Sequence, residues 1–220
     1  MDIALNVSSV EYGYPSNTTG SLDKVNVLFD LHFNLKRGEI LYVKGESGGG
    51  KSTLLRLLNR LIEPSSGVLE LYGVDYQALD VIELRKRVQL VPQTPSLLHG
   101  ITVLENLLLP TPDVTEKSIL KLTESFNLTP DILDKRGGEI SVGQAQRICV
   151  IRALLLKPDV ILLDEPTASL DPANRERFFN TFLSLQKEAR FSAIWVTHDE
   201  LQISNGNNRI LHLDKGSLNG

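Results

Sequence analysis

Apolar and polar positions change rhythm several times along the 220 residues. From residue 3 to about 44 they alternate. LFDLHFNL, 28 to 35, reads as a half-buried strand, and Arg37-Gly38-Glu39 turns the chain into EILYVKG. GESGGGKST intervenes. LLRLLNRLI follows with leucines on several faces, the pattern of a largely buried helix. Pro64-Ser65-Ser66-Gly67 ends that helix, VLELYG is a short strand, and VQLVPQ, 88 to 93, is a strand running into a loop. From 94 to 157, Pro95, Pro110, Pro112 and Pro130 punctuate a helical stretch that reads as a second lobe inserted into the first. VILLDEP, 160 to 166, is a continuous apolar run, as a central parallel strand covered on both faces requires. NRERFFNTFLSLQKEA is a helix with Phe178, Phe179, Phe182, Leu183 and Leu185 as its apolar positions. AIWVTHD is a further buried strand, and RILHLDKG closes the pattern. Strands alternating with helices predict an α/β fold with a mainly parallel sheet.

Composition narrows this picture little. Hydrophobic residues make up 41% and charged residues 23%, ordinary for a globular chain long enough to bury a core. The net charge is −4 and no basic run exceeds Arg85-Lys86-Arg87, which argues against a nucleic-acid partner. Cys149, the single cysteine, lies in an apolar helical pattern and reads as core; no disulfide can form within the chain. The N-terminus has no signal-peptide pattern, and no run of about 18 apolar residues exists. If the protein serves a membrane, another subunit spans it.

The candidate chemistry begins at Gly45, Glu46, Ser47, Gly48, Gly49, Gly50, Lys51 and Ser52, which fit G-x-x-x-x-G-K-[ST] between a strand and a helix. Glycines let the backbone wrap a polyphosphate, and successive N–H groups with the helix N-terminus point at the anion. Lys51 is expected to reach the β- and γ-phosphates, Ser52 to ligate Mg²⁺ through its hydroxyl, and Thr53 to donate to an α-phosphate oxygen. VILLDE sets Asp164 and Glu165 at the end of a buried strand, where open α/β sheets bind ligands. Asp164 is the direct or indirect partner of Mg²⁺. Glu165 orients water and accepts its proton. His198, after another buried strand, either bonds the γ-phosphate or holds Glu165.

At this point the motifs carry a resemblance to the nucleotide-binding subunits of ABC transporters, over essentially the whole chain. Gly45 to Ser52 resembles the Walker A loop, Gln93 the Q-loop glutamine, ISVGQ (140 to 144) the signature, VILLDE Walker B, Ser169-Leu170-Asp171 the D-loop, and His198 the switch histidine. Tyr14, in preference to Tyr12, matches the aromatic that stacks on adenine. The resemblance implies a P-loop NTPase core with a mainly parallel sheet, an N-terminal antiparallel β subdomain and an inserted helical subdomain. All of 1–220 forms a single domain, with 1–93 and 158–220 as core and 94–157 as the helical part. It implies ATP and Mg²⁺ as cofactors, with Ser52, Gln93 and Asp164 on the metal and Glu165, His198, Lys51 and Gln93 in catalysis. It implies a head-to-tail homodimer in which Ser141, Gly143, Gln144 and Asp171 of one copy meet the nucleotide of the other. It also implies a cytoplasmic position on the inner face of the cell membrane and a separate permease docked near Thr94 to Leu104.

Val142 stands where the signature has its first glycine. If that position needs negative φ and points away from the phosphate, valine is tolerated; a Phe-Ser-Val-Gly-Gln form also occurs in the multidrug-resistance branch. VPQTPSLLHGITVLENLLLP, LTPDILDKRGGEIS and AIWVTHDE resemble the small Fet-type (YbbL-like) ATPases, which pair with a YbbM-type membrane subunit and for which iron or metal export is proposed. A phosphate or amino-acid importer ATPase is the alternative within transporters. A nucleotide-gated regulatory module and a P-loop kinase are the alternatives outside them. The short lobe and the chain's end after RILHLDKGSLNG predict a stand-alone subunit without a regulatory extension.

Overall fold

A computed structural model describes residues 2–15, 24–198 and 209–219. Two long strands, β1 (Ile3–Pro15) and β2 (Lys24–Lys36), pair antiparallel, and β4 (Ser66–Leu71) and β5 (Val74–Asp75) extend them into a sheet of order β2-β1-β4-β5. A second sheet has the order β10-β9-β3-β8-β7-β6, from β3 (Ile40–Lys44), β6 (Val88–Val91), β7 (Val160–Asp164), β8 (Ser192–Val196), β9 (Arg209–Asp214) and β10 (Ser217–Asn219). Its pairs from β9 to β6 are all parallel; only the β9–β10 hairpin is antiparallel. The expected parallel core and antiparallel subdomain are both present.

Six α-helices accompany the sheets among the described residues: α1 (Lys51–Leu58), α2 (Val81–Arg87), α3 (Val103–Leu108), α4 (Glu116–Ser125), α5 (Val142–Leu155) and α6 (Pro172–Ala189). No helix among those residues is long and apolar enough to cross a membrane. Strand periodicity divides the core into two faces. Val160 and Leu162 of β7, with Ile194 and Val196 of β8, face α1 and the antiparallel sheet. Ile161, Leu163, Ala193 and Trp195 face the helices α3 to α6. There the Trp195 ring packs edge-on against Phe178, Phe179 and Phe182, seating α6 on the sheet. A strand buried on both faces is the reason VILLD reads as unbroken apolar sequence.

One helix differs from the pattern. The apolar run to Ile62 predicts a longer α1, but the helix ends at Leu58. Asn59 turns its amide onto the Val88 carbonyl, Arg60 takes a left-handed φ of 55°, and Leu61 is left 51% exposed. A side-chain bond to the sheet outweighs the hydrophobic pattern there. Asp199, at the end of AIWVTHD, lies outside the described residues.

Candidate active site

The loop after β3 rises from the carboxyl end of a central parallel strand and delivers its glycines to the start of α1. Gly50, the N-cap of α1, has φ 99°, a left-handed conformation that side chains resist. A Cβ there would also stand 2.7 Å from the Leu28 side chain. Lys51, 6% exposed, folds back across the loop: its Nζ donates to the carbonyls of Gly45 at 2.8 Å and Glu46 at 2.7 Å. A buried ammonium held by two carbonyls is a positive charge set in place beside the N-terminus of α1.

Opposite the loop, β7 ends in Asp164 and Glu165. Asp164 is buried, and its pKa is raised, first by desolvation and also by the charge of Glu165; the Ser52 hydroxyl bond and Lys51 oppose this. Glu165 leaves the strand at φ 47°, an uncommon conformation for a non-glycine residue. The backbone holds it there: its N–H donates to the Val196 carbonyl at 3.1 Å, and its carbonyl accepts from Ala168 at 3.1 Å. Its carboxylate sits between two partners, Gln93 Nε2 at 3.3 Å from Oε2 and His198 Nε2 at 3.1 Å from Oε1. Three residues at the ends of three adjacent parallel strands thus meet at one carboxylate.

A cleft of about 360 Å³ lies between these parts. Tyr14, Ser47, Gly48, Gly50, Lys51, Ser52, Thr53, Gln93 and Glu165, all singled out in the sequence, line it. Val27 lines it too and carries no motif signal; only the pairing of β2 with β1 brings it there. Tyr14 hydroxyl and Thr53 Oγ1 are 3.3 Å apart, and the Tyr12 ring abuts Tyr14 edge-on. Tyr14, half-buried and in the cleft wall, is better placed than buried Tyr12 to meet a ligand. Gly45, Glu46, Gly49 and Asp164 are not part of the lining. His198 touches the cleft through Glu165.

Ser141, Gly143, Gln144 and Asp171 do not line this cleft. Ser141 caps α5 and forms a reciprocal box with Gln144: its Oγ accepts from the Gln144 N–H at 3.2 Å, and the Gln144 Oε1 accepts from the Ser141 N–H at 2.9 Å. Asp171 caps α6, and the Asn174 N–H and amide hold its carboxyl below the usual range. Val142 is the first residue of α5, 60% exposed and outside the left-handed region. Gly143 is the more closely packed position: a Cβ there would come within 2.8 Å of Leu170 Cδ2, the end of a side chain that has to turn aside.

The donors fit Mg²⁺. Ser52 hydroxyl, Asp164 carboxylate and the Gln93 amide oxygen are hard oxygen ligands, the type this ion prefers. No group of three or more His, Cys, Asp or Glu side chains suited to a metal exists among the described residues.

The family model described as ABC transporter matches residues 28–168. The chain is 37% identical over 214 residues to the phosphate import ATP-binding protein PstB of Pyrobaculum aerophilum, covering 90% of this chain and 85% of that one. It is 38% identical over 184 residues to the probable iron export ATP-binding protein FetA of Escherichia coli, covering 81% and 80%. Other relatives are longer, and the chain spans about half their length. The solved dimeric post-hydrolysis state of the ATP-binding cassette MJ0796, bound to ADP and phosphate, matches with a TM-score of 0.87 at 28% identity, over 98% of this chain and 97% of that one.

Proposed function

The chain belongs to the ABC transporter family as an ATP-binding, ATP-hydrolysing subunit, and from that premise we propose which residues do the work, what the ATPase drives and how it docks. The observation that carries the reading is the Glu165 carboxylate, on the cleft wall and held by Gln93 and His198. Glu165 accepts a proton from water as the water attacks the γ-phosphate. His198 keeps the carboxylate aimed, and Gln93 reports the γ-phosphate to the segment that follows it. Lys51 and the loop N–H groups stabilise the charge that develops on the phosphate oxygens. Ser52, Asp164 and Gln93 would hold Mg²⁺, which would supply further positive charge against those oxygens. Tyr14 stacks on the base.

The signature residues stand outside the cleft of their own chain, which supports a head-to-tail dimer. Ser141 and Gly143 then begin a helix whose N-terminus faces the γ-phosphate held by the other copy. For this chain that assembly is a proposal; the MJ0796 cassette supports it as a dimer of the same fold.

The permease is proposed to dock at a groove of about 450 Å³ between α2 and the ends of α3 and α5. Ile82, 66% exposed, Leu109, 60% exposed, Pro110 and Leu156 form its apolar part, with Arg85 and Arg152 beside them. This shifts the expected Thr94 to Leu104 surface: Leu97 and Val103 are core, while Leu98 is 56% exposed. A short amphipathic helix of a membrane subunit suits such a groove. It would place the chain on the inner face of the membrane.

Iron or other metal export is the first cargo to test, on the likeness to FetA. Phosphate import is the second, on the likeness to PstB. Cells lacking the chain accumulate iron and become iron-sensitive under the first reading, and lose phosphate uptake under the second. Unchanged iron content with lost phosphate uptake would reject export.

A further inference from the structure

Helix α5 buries Ala145, Ile148, Cys149, Val150 and Ile151, and among these apolar residues one amide, Gln146, 1% exposed. Its Nε2 donates to the Pro92 carbonyl at 3.0 Å, while its Oε1 is buried without a partner among the described residues. An apolar side chain of the same length would remove the unpaired Oε1 but would also take the donor from the half-buried Pro92 carbonyl, so the two stability terms oppose and the specific consequence of an amide here is the bond to Pro92.

The single bond it makes falls at an informative place. The Pro92 carbonyl belongs to the peptide bond that leads into Gln93. A peptide is planar, so fixing that oxygen fixes the plane and the direction in which Gln93 leaves β6. Gln93 is the residue whose Nε2 meets Glu165. The same helix begins at Ser141, in the signature.

We infer that Gln146 is a positioning residue for ATP hydrolysis: it holds the Pro92–Gln93 peptide so that Gln93 reaches Glu165, and it does so from the signature helix. The inference rests on the roles proposed above for Gln93 and Glu165. Gln146 touches neither the cleft nor a ligand; it acts through Gln93.

Gln146→Met keeps the length and removes both polar atoms. In the full chain, kcat should fall about tenfold, the loss of one well-placed hydrogen bond, while KM for ATP stays within about twofold of the parent. The melting temperature should stay close to the parent's, because losing the unpaired Oε1 offsets losing the bond to the Pro92 carbonyl. Gln146→Glu gives a second readout that does not depend on the first variant folding. A protonated carboxyl can donate to Pro92 and an ionised one cannot, and burial raises its pKa. Its kcat relative to the parent should therefore decline from about pH 6 to about pH 9.

Parental kcat in Gln146→Met would overturn the inference. So would a loss of kcat accompanied by raised KM and a lower melting temperature, or a flat pH ratio for Gln146→Glu. Glu165→Gln assayed alongside separates the two levels. If it turns over normally, the reading of the site fails; if it is inert while Gln146→Met is normal, only this inference fails.

Discussion

At Glu165 the structure turns an acidic pair into two different groups. Asp164 is buried behind the Ser52 hydroxyl, while Glu165 reaches the cleft wall. Glu165→Gln keeps the shape and the hydrogen bonds to Gln93 and His198 but cannot accept a proton. Turnover is expected to drop by at least about a hundredfold, with ATP still bound by equilibrium dialysis. Turnover within a factor of a few of the parent would remove Glu165 from its role. The signature makes the complementary case. Val142 points to solvent, so Val142→Gly should leave ATP-driven dimerisation unchanged by gel filtration. Gly143→Ala sets a methyl group against Leu170, whose side chain has to turn aside within its buried site, and should weaken it slightly. The reverse ranking would mean that the valine is the costly residue.

Helix starts carry the element scale. Thr102 and Glu105 form a reciprocal box at α3, as Ser141 and Gln144 do at α5. Neutral Gln144 caps without titrating, but Glu105 does not share that freedom. The Thr102 N–H and hydroxyl hold its carboxyl below its usual value of about 4.5. A depressed pKa gives stability that is present above the unfolded value and lost as pH falls through the folded one. Melting temperature should therefore decline below about pH 4.5, and Glu105→Gln, which can keep the bond, should decline less over the same range. Equal slopes would show that other carboxylates, Asp171 and Asp131 among them, account for the acid sensitivity. Ser141→Ala removes the α5 cap, at a cost of about 1 kcal/mol.

On the scale of the whole molecule, the cleft joins elements that the chain keeps far apart: the loop before α1, the end of β6, the end of β7 and β1. Ligand bound at such a junction stabilises every part it touches. ADP at about a hundred times its dissociation constant should add about 2.7 kcal/mol, about 5 to 10 °C for a chain this size. Lys51→Ala should abolish most of that shift in a thermal melt. Glu165→Gln with ATP and Mg²⁺ should elute as a dimer and return to monomer when the nucleotide is removed. A chain that binds ATP and stays monomeric in both states would overturn the head-to-tail reading for the isolated subunit.

The sequence by itself determined the engine. Gly45 to Ser52, Asp164 and Glu165 stand out in the sequence because a loop suited to a polyphosphate needs glycines for close backbone approach and a hydroxyl next to a lysine, and because a doubly covered strand has to be apolar until it ends. The two-faced core was legible in VILLD for the same reason. The end of α1 was not, since Asn59 answers to a carbonyl 29 residues away. Val27 in the cleft wall and the burial of Leu97 and Val103 were decided by pairing and packing between distant segments, which no local period records. The sequence left open whether His198 holds Glu165 and was silent on Gln93 doing so; the tertiary structure set both beside that carboxylate, because they lie at the ends of different strands and become neighbours only when β6, β7 and β8 align. It also distinguished Val142 from Gly143: adjacent in the chain, one faces solvent and the other faces Leu170.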